Sequence, residues 1–122
     1  MANATAKIPL SASTQGQGIK IAQTVTAGTL VHTTGTNLAI IDEIWLYLMN
    51  THTADVLVTI EFGGPTAPDQ NIILTVPFRS GLFLAVDGRI LTGSGAAALT
   101  VKVFASVANV IVAYGHVMRI TP

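Results

Sequence analysis

The sequence predicts an all-β protein, an antiparallel β-sandwich or jelly roll of about eight strands. Three observations carry that expectation. Short segments rich in Val, Ile, Thr and aromatic residues alternate with period 2. Gly, Pro, Asn, Asp and Ser punctuate them roughly every 8–12 residues. No window sustains a capped, helical apolar period.

The elements follow in order. Residues 1–18 are small and polar, with Pro9 and the run Gln15-Gly16-Gln17-Gly18. Such a segment buries too little apolar area to fold alone. It is expected to be a flexible N-terminal arm ahead of a β-sandwich domain over residues 19–122, dispensable for folding. Ile8 and Leu10, flanking Pro9, are its apolar anchors, suited to docking on a partner.

Ile19, Ile21, Gln23 and Val25 share one face of a first strand, and Ala27-Gly28 turns it into Thr29–Thr34. Gly35-Thr36-Asn37 leads to the long segment Leu38–Asn50. Val56, Val58, Ile60 and Phe62 alternate inward along Asp55–Phe62, with Asp55, Thr59 and Glu61 outward. A loop from Gly63 to Gln70 precedes Asn71–Phe78. Ser80-Gly81 opens Leu82–Val86. Asp87-Gly88 tolerates positive φ at both positions and reads as a tight hairpin into Arg89–Thr92. Gly93-Ser94-Gly95 then leads to Ala97–Val107, and Asn109 begins a last strand through Ile120.

Leu38–Asn50 is the most informative segment. Ile40, Ile44, Leu46 and Leu48 occupy one face, and Ile41, Trp45, Tyr47 and Met49 the other. A half-buried strand alternates apolar with polar, because successive side chains point to opposite faces. Here both faces favour leaving water. Ile44, Leu46 and Leu48 are expected inside, so Trp45, Tyr47 and Met49 face a second layer or a neighbouring subunit.

Composition agrees. Half of the residues are apolar and only 10% are charged, against about 25% charged in an ordinary domain. Mean hydropathy is +0.60. Wide neutral surface of this kind marks an interaction site. The expectation is a homo-oligomer, a trimer first.

Net charge is zero and Lys7, Lys20, Arg79, Arg89, Lys102 and Arg119 are scattered. No basic stripe exists to neutralise phosphates or hold an anionic membrane, so neither nucleic acid nor membrane is an expected partner. The absence of cysteine excludes disulfides and thiolate metal sites. The N-terminus lacks the charged and apolar blocks of a signal peptide, which points to a protein made in the cytoplasm.

The search for chemistry yields no site. Asp42 and Glu43 are adjacent and point to opposite strand faces, so they cannot act as a pair; in so apolar a strand one of them is either buried or at an interface or, the favoured reading, a charge that blunts strand aggregation. His32, His52 and His116 lie in separate segments without ligand spacing. His116 shares a face with Tyr114 and Met118 and reads as a packed or interface residue. No serine stands in a Gly-x-Ser-x-Gly elbow. The loop Asp69-Gln70-Asn71 has the polar groups of a sugar site but no aromatic nearby in sequence. No enzyme activity and no cofactor are expected.

The ordered pattern resembles a small β-sandwich family of tailed-bacteriophage virion proteins. The resemblance runs from Thr24 to Ile120. It rests on Ala27-Gly28, the long apolar strand ending in Asn50-Thr51, and Val56–Phe62 followed by Gly63-Gly64. Val76-Pro77-Phe78, Gly81, Gly88-Arg89-Ile90-Leu91 and the Gly93–Gly95 turn continue it. Val101, Val103, Ala105, Asn109-Val110, Gly115, Val117 and Ile120 close it. The resemblance implies a capsid decoration, or cement, protein that binds the outside of a phage head as a homotrimer or dimer and braces the major capsid protein. It implies a virion location, with host cytoplasm during assembly. Two alternatives stand beside it: another phage structural component of head-tail junction, tail or spike, and a carbohydrate-binding jelly-roll module.

Overall fold

The computed structural model describes residues 3–122. Among them are nine strands: β1 (Ala4–Pro9), β2 (Ile19–Lys20), β3 (Thr29–Thr33), β4 (Ile41–Asn50), β5 (Val56–Phe62), β6 (Asn71–Val76), β7 (Phe83–Thr92), β8 (Thr100–Ala105) and β9 (Ile111–Thr121). There is no helix among the described residues. Two antiparallel sheets result. The first has the order β1-β9-β4-β7, with β2 also on β9; the second has the order β3-β8-β5-β6.

The inner faces follow from the period-2 pattern. Ile44, Leu46 and Leu48 of β4 are fully buried, as their alternation requires. They meet Val56, Val58 and Ile60 of β5, Val101 and Val103 of β8, and Ile111, Ala113 and Val117 of β9 in one core. Gly115 sits in that face. A Cβ there would lie 2.1 Å from the Trp45 carbonyl oxygen and 3.3 Å from Leu10 Cδ1, so the close approach of β4 to β9 needs a glycine.

Three elements differ from the sequence reading. The first strand is short. Only Ile19–Lys20 forms strand, Ile21 still bonds to Ile111 and Asn109 and reaches the core, and the chain then runs irregularly from Ala22 to Gly28.

Residues 4–9 of the expected arm are a strand of the domain's own sheet, paired with β9 from Ala4–Thr121 to Pro9–His116. Ile8 packs against the core and Leu10 is only 1% exposed. The arm's two anchors are therefore used internally. Pro9 fits because β1 is an edge strand, where a missing N–H costs no ladder bond. The first two residues of the arm lie outside the described residues.

Asp87-Gly88 is not a hairpin turn. β7 continues through it, and the pairing with β4 jumps from Ile44–Arg89 to Trp45–Asp87. Gly88, at φ 81°, is the extra residue of a bulge. The glycine is needed for space as well as for φ, because a Cβ would lie 2.8 Å from Trp45 Cζ2. The indole of a neighbouring strand, invisible to a local turn rule, leaves room only for glycine here.

Candidate functional site

Among the described residues, four places offer chemistry beyond the apolar core and its turns. The most tightly built joins the two sheets. Asp42 of β4 lies opposite Arg119 of β9, and Arg119 donates from Nε to Asp42 Oδ1 and from Nη2 to Oδ2, both at 2.8 Å. His32 of β3 brings Nε2 within 2.8 Å of Asp42 Oδ2, and the Ser11 backbone N–H donates to His32 Nδ1 at 3.1 Å. Nδ1 is thus an acceptor, so the ring carries its proton on Nε2 and donates it to Asp42. Burial lowers the His32 pKa and outweighs the opposing pull of Asp42, which agrees with this neutral tautomer. Burial alone would raise Asp42; hydrogen bonds from Arg119 and His32 outweigh it and hold the carboxyl below its ordinary range.

Ser11, His32 and Asp42 are the residue types of a hydrolase triad, but the wiring differs. The serine hydroxyl accepts the Thr33 N–H at 2.7 Å, and the backbone amide, not the hydroxyl, meets the imidazole. A triad serine must give its proton to that ring. Both ring nitrogens are already bonded and His32 is 0% exposed, so the cluster works as a clamp. Asp42 is accordingly the buried one of the two adjacent carboxylates, an ion-pair partner and not the favoured aggregation-blunting charge; Glu43 remains on the outer face.

A second carboxylate, Glu61 of β5, points outward from its sheet yet is buried. The irregular segment 22–28 folds over it. Thr26 Oγ1 donates to Glu61 Oε2 at 2.8 Å and the Gly28 N–H to Oε1 at 2.7 Å.

The third place is the outer face of the first sheet. Trp45, Tyr47 and Met49 of β4 lie beside His116, Tyr114 and Val112 of β9 in direct register. The Trp45 and His116 rings stack, with centroids 6.0 Å apart and planes 12° from parallel. Burial, with Lys7 nearby, lowers the His116 pKa below its ordinary 6.5. Leu84 and Ile90 of β7 extend this aromatic band and are 45% and 59% exposed. The inner face of this sheet is filled by the core, and no third layer of the described residues covers the outer one, where Trp45, Tyr47, Met49, Tyr114 and His116 are half-buried. Of the five residues expected at an interface, Trp45, Tyr47 and Met49 stand here together; Ile8 and Leu10 do not.

The fourth is an open cleft of about 490 Å³ where β6 and β7 part, lined in part by Phe62, Asp69, Gln70, Asp87 and Arg89. The fold supplies the aromatic that the Asp69-Gln70-Asn71 loop lacks in sequence. No group of three or more His, Asp or Glu that could hold a metal occurs among the described residues.

No family model, curated protein or solved structure matches this chain.

Sequence reading passed over the His32–Asp42–Arg119 cluster, because its members are 10 and 77 residues apart. One signal was present: Asp42 lies in phase with Ile44, Leu46 and Leu48, so a charge on the core face required a partner.

Proposed function

We propose that this chain is a structural virion subunit, a capsid decoration protein that seats its aromatic sheet face on the outside of a phage head. The observation that carries this reading is the band of Trp45, Tyr47, Met49, Tyr114 and His116, half-buried on a sheet face that no third layer of the described residues covers, with the exposed Leu84 and Ile90 beside it. Apolar surface of this kind marks an interaction site, and aromatic anchors dominate binding energy where they are desolvated. The strand order adds support. With β1 as the first strand, the sheets interleave as 1-9-4-7 and 3-8-5-6, the alternation of paired Greek keys found in jelly rolls, a fold common to viral coat and lectin domains. A shell presents many equivalent sites, so modest contacts add by multivalency.

The test is co-expression with the major capsid protein of the same genome, followed by sedimentation of the shells. The chain is expected to travel with the shells, and Tyr47→Glu to lower its occupancy at least about tenfold. A chain that stays out of the shell fraction overturns the reading.

The cleft between β6 and β7 favours a second reading, a carbohydrate-binding module, because Phe62, Asp69, Asp87 and Arg89 converge there. A glycan screen with Arg89→Ala as control distinguishes the two.

A further inference from the structure

Four strand edges end the two sheets, and three of them carry devices against pairing. β1 has Lys7 and Pro9. β7 has Asp87, Arg89 and two breaks of register. β3 has a bulge between Leu30 and His32, and residues 11 and 12 bond across its edge at Thr33 N–H and Val31 C=O. β6 has none. Its sequence, Asn71-Ile72-Ile73-Leu74-Thr75-Val76, holds no charge, no proline and no bulge.

The phase of its ladder is fixed. Phe62 N–H donates to the Gln70 carbonyl at 2.8 Å. Backbone groups alternate sides along an antiparallel strand, so Ile72, Leu74 and Val76 bond toward β5, while Ile73 and Thr75 direct their N–H and C=O away from the sheet. The Ile73 side chain is 61% exposed, and Leu57, on the same outer face beside Thr75, is 51% exposed.

We propose that β6 pairs antiparallel with β6 of a second copy of this chain across a two-fold axis, joining two four-stranded sheets into one. Outward-facing residues must meet outward-facing residues. The register that places Leu74 opposite its own copy does this, and sets Ile73 of each chain against Thr75 of the other. Each such pair exchanges two backbone hydrogen bonds. The flanks support the same register. Asp69 and Arg79 lie five residues to either side of Leu74, so the antiparallel arrangement brings Asp69 of one copy toward Arg79 of the other, twice. Both are exposed, and neither takes part in an ion pair among the described residues. Strand addition draws affinity from backbone bonds and specificity from such flanking contacts, and a self-complementary patch closes as a dimer.

Sedimentation of the full chain across a concentration series tests this. Wild type is expected at the mass of two copies. Thr75→Pro removes an N–H that β5 does not use, and Ile73→Lys places a charge on the edge; each is expected to raise the dissociation constant at least about tenfold with unchanged circular dichroism. Asp69→Arg and Arg79→Asp each weaken association, and the double swap restores it. A single-copy mass at about 0.1 mM, where even weak contacts register, overturns the proposal. So does a three-copy mass, or association indifferent to all four substitutions. A chain that pairs through β6 and ignores capsid shells keeps this inference and loses the functional one.

Discussion

Asp42 and Glu61 are both buried carboxylates that fasten a segment with little structure of its own, yet they do so by different means. Asp42 answers to two charged or chargeable side chains, Arg119 and His32, and through His32 holds the chain at Ser11. Glu61 answers to neutral donors, the Thr26 hydroxyl and the Gly28 amide, and holds the segment 22–28. The first ties strands of both sheets, β3, β4 and β9, to one point. The second ties one loop to one strand. A clamp between sheets is shared by the whole domain, whereas a clamp on a loop is local.

Substitution should separate them by size and reach. Asp42→Ala leaves the Arg119 guanidinium and a fully buried imidazole without their partner, and a loss of about 3–5 kcal/mol is expected from breaking a buried pair on one side. Chemical denaturation should show it as a lower midpoint with unchanged slope. Glu61→Ala removes two hydrogen bonds to neutral donors, and about 1–3 kcal/mol is expected. Its signature is local: amide exchange should quicken at residues 22–28 well before the core strands. Uniform exchange across the domain in Glu61→Ala would erase the distinction between the two clamps.

Acid sharpens the comparison further. His32 is held below 6.5 by burial, so between that value and its lower folded pKa the unfolded chain binds more protons than the folded one. Its contribution is complete above 6.5 and declines as the pH falls through that window. Asp42, lowered by Arg119 and His32 against its burial, contributes fully above 3.8, and that contribution is lost as the pH falls through its lower folded pKa. The melting temperature should therefore fall in two steps on acidification. His32→Gln should flatten the upper step, with His116→Gln as control for the other lowered histidine. An unchanged upper step in His32→Gln would remove His32 from the account.

What could be read from the sequence follows the range of the interaction. The inner face of β4 was legible because Ile44, Leu46 and Leu48 repeat at the strand period, and the same pattern put Trp45, Tyr47 and Met49 on the other side. The Gly88 bulge was not legible, because the strand that pairs across it and the indole that crowds its glycine lie some forty residues earlier in the chain. Nor was the use of Leu10. A lone leucine in a polar run looks like a loose anchor until β9 supplies the groove and Gly115 the room. Polar partners failed for the same reason. Asp42 announced a need by its phase, but nothing local says that His32 and Arg119 meet it.

The position of β9 has a consequence for how the molecule is made. This strand pairs with β1, β2 and β4, so three strands formed early in synthesis wait for residues 111–121, and Ala4 waits for Thr121. Such long loops close late, and folding dominated by distant pairings is slow. Until that strand is synthesised, the first sheet has only its β4–β7 pair. The aromatic band comes into being at the same moment, since Tyr114 and His116 complete it. One late strand thus completes both the sheet and its aromatic surface.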